Sequence, residues 1–98
     1  MRSEGLAEQV NTQHENPEYL PGYPLAERVV ATHDMAQAVS GSSAIFVAVP
    51  STSFRSVVQR IMEHAAPGVI LVSTTKGIEA GSFMLMSEVL KAEAPGAK

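Results

Sequence analysis

Two apolar runs separated by one amphipathic segment constrain this chain more than any other feature of it. Residues 44–49 read Ala-Ile-Phe-Val-Ala-Val and stop at Pro50, while residues 69–72 read Val-Ile-Leu-Val and follow Pro67-Gly68. Neither run alternates apolar with polar residues, which is the pattern of strands covered on both faces of a parallel sheet. Between them Phe54, Val57, Val58, Ile61 and Met62 recur at i, i+3, i+4, i+7 and i+8, the apolar face of a helix. Strand, helix and strand in this order form a crossover unit, which implies parallel pairing and a right-handed connection. An α/β fold is therefore expected.

The flanking segments add helices and one further strand. Ser3 followed by Glu4, Leu6, Ala7 and Val10 predicts a capped helix running to about Gln13. Three prolines and a Pro-Gly pair over residues 14–24 remove amide donors and predict a loop of fixed shape. Arg-Val-Val-Ala-Thr at 28–32 is compatible with an edge strand. Asp34 is placed to cap a short helix over 35–39, stopped by Ser40-Gly41. A last helix is expected from Ser82 to about Ala92, with Leu85, Met86, Val89 and Leu90 inward, ended by Ala94-Pro-Gly. Met84 and Met86 are expected to fill core or an interface.

Composition excludes several functions. Of the 98 residues 45% are apolar and 17% charged, so the chain can bury a core and is not a solvated disordered tail. Without cysteine it has no disulfide framework, thiolate nucleophile or zinc–thiolate site, which fits a reducing compartment. A net charge of −3, with seven Lys and Arg scattered from Arg2 to Lys98, offers no basic stripe for nucleic acid. The nearly uncharged stretch over 35–54 is broken by Gln37, by serines and glycine at 40–43 and by Pro50, so no membrane-spanning helix is expected. No apolar segment follows the opening Met1-Arg2-Ser3-Glu4-Gly5, so neither a leader nor an anchor is read there. A cytoplasmic protein is the expectation.

In parallel α/β sheets ligands bind at the carboxyl ends of the strands, which directs attention to Pro50-Ser-Thr-Ser53 and Ser73-Thr-Thr-Lys-Gly-Ile-Glu79. Lys76, just past a buried strand and followed by Gly77, places a cation where a phosphate or carboxylate can dock; an ordinary solvated loop lysine fits the same spacing. Ser51, Thr52 and Ser53 read first as caps of the following helix. His14, His33 and His64 lack zinc-ligand spacing, and no metal site is expected. Gly77-Ile-Glu-Ala-Gly81 is not followed by Lys-Ser/Thr and so is not a P-loop, and no G-x-G-x-x-G occurs in these 98 residues.

His14-Glu-Asn-Pro-Glu-Tyr-Leu-Pro-Gly22 and Ser73-Thr-Thr-Lys-Gly-Ile-Glu79, with Val47-Ala-Val-Pro50 between them, resemble the bacterial family of NAD(P)-dependent glycerol-3-phosphate dehydrogenases. The three motifs occur in order, and the resemblance runs without insertion or deletion from Arg2 to about Pro95. It implies hydride transfer between sn-glycerol 3-phosphate and dihydroxyacetone phosphate with NAD(P)H, for glycerophospholipid synthesis. It also implies an N-terminal Rossmann domain for the dinucleotide, a C-terminal helical domain that completes the substrate site, and a homodimeric enzyme.

By the same resemblance Arg2 matches the position that meets the adenosine ribose or its 2′-phosphate. Ser3 falls where many members carry a second basic residue, so the preference between NAD and NADP stays open. Tyr19 matches a cofactor-contacting position. Lys76 matches the lysine near the nicotinamide and substrate, where its charge holds the substrate phosphate or polarises a reacting oxygen. The family's first strand, glycine-rich turn, first helix and second strand would precede Met1, and its catalytic lysine would follow Lys98. The expected fold is thus an incomplete Rossmann-type parallel sheet of about three strands with flanking helices, lacking the first βαβ segment. Residues 1–98 are its central part, with no catalytic residue among them, and the isolated chain is expected to be inactive. Rival readings are a non-catalytic module docking on a full-length subunit, a truncated product without a function of its own, and another Rossmann oxidoreductase such as a ketopantoate reductase. On the docking reading, Ile45, Val47, Val69 and Leu71 would need a partner's cover.

Overall fold

The two apolar runs do pair in parallel, as strands β1 (Ala44–Val47) and β2 (Ile70–Ser73), with helix α3 (Ser51–Met62) crossing between them. This is a computed structural model that describes residues 3–97. The remaining elements are α1 (Glu4–Gln13), α2 (Met35–Val39) and α4 (Met86–Glu93). The chain divides into two compact units, one ending at Ala38 and the other starting at Val39.

In the second unit the register joins Ala44 to Ile70, Ile45 to Leu71, Phe46 to Val72 and Val47 to Ser73. The α3 periodicity does what was expected of it, burying Phe54, Val58 and Ile61. Helix α3 packs against α4, which buries Met86 and Val89, and Val47 and Val69 are buried as well. Side chains alternate along a strand, so Ile45, Val47 and Leu71 share one face while Ala44, Phe46 and Ile70 share the other. The expectation that Val47 and Val69 lack cover is therefore corrected, since both are buried and Ile45 and Leu71 are half-buried. Phe46, 69% exposed, and Ile70 are the open pair.

Both strands depart slightly from the expected bounds. β1 stops two residues early because beyond Val47 the ladder gives way to side-chain bonds: the Val49 amide donates to the Thr75 hydroxyl at 3.2 Å. Val69 lies just outside β2, its amide donating to Ala66 O at 3.3 Å. The last helix begins four residues later than expected. Residues 78–85 form a tight turn instead, closed by an Ile78–Leu85 bridge, by Glu79 N–H to Met84 O at 2.8 Å and by Phe83 N–H to Glu79 O at 2.9 Å. Phe83 takes the left-handed conformation at φ +59°, which breaks a helix. Leu85 is consequently exposed rather than inward, Met86 is buried and Met84 half-buried.

The first unit begins as predicted: the Leu6 amide donates to the Ser3 hydroxyl at 3.2 Å, and α1 buries Leu6, Ala7 and Val10. His14 ends the helix at φ +53°, with its amide on Val10 O at 2.8 Å. The proline-rich loop has the fixed shape expected, since Tyr19 N–H donates to Asn16 Oδ1 at 3.1 Å and Leu20 N–H to Asn16 O at 3.0 Å. Asp34 Oδ1 accepts from the Ala36 and Gln37 amides at 2.9 and 3.3 Å, capping α2. The expected edge strand over 28–32 does not form, so the sheet has two strands rather than about three among the described residues. A strand needs a neighbour, and here the Asn11 side chain stands in for one. Its Oδ1 accepts from Ala31 N–H at 2.6 Å and its Nδ2 donates to Ala31 O at 2.8 Å.

Candidate functional site

The loops leaving the carboxyl ends of β1 and β2 are fastened to each other by hydroxyl groups. Thr74 N–H donates to Val47 O at 3.1 Å, in effect one more rung of the ladder. The Thr75 hydroxyl donates to Val49 O at 2.7 Å while accepting from Val49 N–H, so one side chain satisfies both backbone groups of the facing loop. Ser73 Oγ accepts from Thr75 N–H at 3.3 Å. These bonds fix the backbone immediately before Lys76.

Lys76 itself is exposed and has no ion-pair partner among the described residues. Gly77 follows at φ +124°, a conformation open to glycine and strained for other residues. A Cβ on Gly77 would stand 3.5 Å from Ser51 Cβ, ordinary contact, so it is the dihedral rather than crowding that calls for glycine. The loop thus bends back towards the first turn of α3. Ser51, Thr52 and Ser53 lie within that turn and do not cap it; Pro50 is the N-cap and makes no side-chain cap bond. The first amides of a helix lack intrahelical partners, a setting that favours negative charge, although the Ser53 amide here donates to Pro50 O at 2.9 Å.

A second polar cluster secures the far side of the loop. Arg55 of α3 grips Glu79 with two bonds, Nε to Oε2 at 2.8 Å and Nη2 to Oε1 at 2.9 Å. Its Nη1 donates to Glu93 Oε1 of α4, and Gln59 Nε2 donates to Glu93 Oε2 at 3.1 Å. Ser82 Oγ donates to Glu79 Oε1 at 2.6 Å. The hydrogen bonds from Arg55, then that from Ser82, hold the Glu79 carboxyl at about 2, against an ordinary 4.5. Glu93 is lowered by its bonds from Gln59 and then Arg55, and the two carboxylates hold Arg55 firmly protonated.

Of the residues singled out from the sequence, Lys76 stands at the carboxyl edge of the parallel pair, where the strand-end rule puts a ligand. Tyr19 belongs to the first unit, its backbone pinned by Asn16 and its side chain 72% exposed. Arg2 lies outside the described residues. Among the described residues no three His, Asp or Glu gather as a metal site, and no helix is long and apolar enough to cross a membrane. Sequence reasoning missed Thr75, Arg55 and the partnership of Arg55 with Glu79. Thr75 and Glu79 lie inside a motif already singled out, whereas nothing local marks Arg55, which is 24 residues from Glu79.

A parallel crossover with its polar loops and an exposed lysine at the carboxyl edge is an α/β arrangement of the Rossmann type. All residues from 1 to 98 match the family model described as the NAD-dependent glycerol-3-phosphate dehydrogenase N-terminus, and the chain belongs to that family. It is 45% identical over 93 residues to a glycerol-3-phosphate dehydrogenase [NAD(P)+] of Teredinibacter turnerae, covering 95% of this chain and 27% of the relative. A namesake in Saccharophagus degradans is 46% identical over 93 residues, covering 95% and 26%. The crystal structure of glycerol-3-phosphate dehydrogenase from Coxiella burnetii superposes with a TM-score of 0.87 at 27% identity, over 98% of this chain and 29% of that one. The chain spans about a quarter of the length of the curated relatives it matches.

Proposed function

We propose that residues 1–98 are the central part of the NAD(P)-binding Rossmann domain of a glycerol-3-phosphate dehydrogenase that interconverts sn-glycerol 3-phosphate and dihydroxyacetone phosphate. The observation that carries this reading is the family match along the whole chain. The same match favours this dehydrogenase over a ketopantoate reductase. The residues present fit a phosphate-bearing ligand: an exposed ammonium at Lys76 with no ion-pair partner among the described residues, followed by a Cβ-free residue that turns back to the start of α3. When bound, the nicotinamide supplies hydride exchange with the substrate's secondary alcohol carbon.

Lys76 carries substrate or cofactor binding: its ammonium holds a phosphate of either ligand or the oxygen on which negative charge develops near the nicotinamide. Tyr19 and Arg2 line the cofactor. No residue of this segment is assigned as proton acceptor, and no G-x-G-x-x-G is present to cradle the pyrophosphate. A polypeptide of these 98 residues alone is therefore proposed to be inactive and to bind NADH more weakly than about 1 mM, or −4 kcal/mol. The complete enzyme is read as a cytoplasmic homodimer with neither nucleic acid nor membrane as partner.

An NMR titration of the 98-residue chain with NADH tests this. Shifts are expected at the amides of Lys76 and Gly77 and are expected to vanish in Lys76→Met. Equal shifts in that variant, or measurable turnover of dihydroxyacetone phosphate by this chain, would overturn the reading.

A further inference from the structure

Arg55 takes no part in the site as proposed, yet it holds the segment that carries Lys76. It reaches three elements at once: it stands on α3, grips Glu79 in the turn that follows Lys76, and bonds Glu93 of α4. Glu79 is three residues beyond Lys76, and its own backbone closes the turn through Met84 and Phe83. The stretch from Thr75 to Glu79 is therefore anchored at both ends, by the Thr75 hydroxyl on one side and the Arg55 guanidinium on the other. Between these anchors stand Lys76, Gly77 and Ile78; Ile78 bridges Leu85 through its backbone, but its side chain is 57% exposed and adds little packing to hold the loop. A paired fork of donors sets direction as well as distance, which a single bond or a point charge does not.

We infer that Arg55 is a positioning residue for Lys76: its two-bond grip on Glu79 fixes the course of the 76–79 loop and thereby presents the lysine to a phosphate-bearing ligand. This rests on the reading of Lys76 given above. The grip is partly buried, with side-chain exposures of 29% for Arg55 and 18% for Glu79, and Glu93 and Gln59 keep the guanidinium oriented from the α4 side. Ser82 does the same for the carboxylate.

Hydrogen exchange and NADH titration of the 98-residue chain, both followed by NMR, test the inference. In Arg55→Met the Phe83 amide, which donates to Glu79 O, is expected to exchange about tenfold faster, while the Val58 amide in the middle of α3 is unchanged. Glu79→Gln, which keeps the shape of the side chain and removes its charge, is expected to show the same local pattern more weakly. The response of Gly77 to NADH is expected to need several-fold more ligand in Arg55→Met, with Arg55→Lys restoring only part of it. Unchanged exchange at Phe83, or equal acceleration at Phe83 and Val58, would overturn the positioning role. Should Lys76→Met leave the NADH response intact, the reading of Lys76 fails, and the exchange pattern still decides whether Arg55 holds the loop.

Discussion

In the second unit Phe54, Val58 and Val89 are shut off from solvent, and the polar groups of its loops are arranged around that core. The first unit, among its described residues, buries Leu6, Ala7 and Val10 and leaves Tyr19, Leu20, Tyr23, Val29 and Val30 exposed. Its loop takes shape from bonds between side chains and backbone instead: Glu15 to the Gly22 amide, Asn16 to Tyr19, Asn11 to Ala31. The contrast separates two ways of presenting the residues proposed to bind ligand. Lys76 is carried by a loop tied to packed elements, whereas Tyr19 is carried by a turn that depends on local chemistry and proline geometry.

The largest expected effect lies in the packed unit. Phe54→Ala removes a fully buried ring and leaves a cavity in the core, and its cost is about 3–5 kcal/mol. For a unit of this size that lowers the thermal midpoint by more than roughly 10 °C, readable by circular dichroism. A fall of under about 4 °C, or 1 kcal/mol, would mean that this core is not what orders the unit.

Acid sharpens the contrast at a smaller scale. Glu79 titrates at about 2 in the folded chain against an ordinary 4.5, so the unfolded state binds the proton more readily. Its contribution to stability is present above about pH 4.5 and is lost as pH falls towards 2. The thermal midpoint is expected to drop across that window, and Glu79→Gln is expected to flatten the drop. Because the pair is partly solvated, added salt shrinks the effect. An identical acid limb in the variant would show that other carboxylates dominate the acid transition.

How much of this was readable in the residues follows from the range over which each feature is decided. α3 was legible because its apolar period is a local property, visible in Phe54, Val58 and Ile61 alone. The place of Lys76 past the carboxyl end of a parallel strand was legible because an apolar run ends just before it, while its role as a ligand contact is a proposal. The split of Ile45 from Phe46 was not, since a continuous apolar run carries no alternation to say which face is covered. Nor was the loss of the strand over 28–32, because strand formation depends on a neighbour and not on β-branched composition alone. Arg55 meets Glu79 and Glu93 across 24 and 38 residues, a separation at which only the fold supplies the signal.

The smallest effect is the most local, and it tests the first unit directly. Asn11→Ala removes both bonds to Ala31, each of which is solvent-exposed and together worth about 1 kcal/mol net. The same substitution places the best helix former on α1, which gains back roughly 0.6 kcal/mol. Global stability is therefore expected to change little, while the Ala31 amide, deprived of its acceptor, exchanges several-fold faster. Helix amides from Leu6 to Val10 should keep or improve their protection. If Ala31 stays protected in the variant, the extended run over 28–32 is held by something other than Asn11, and the picture of a unit ordered by side-chain substitutes for a missing strand neighbour does not stand.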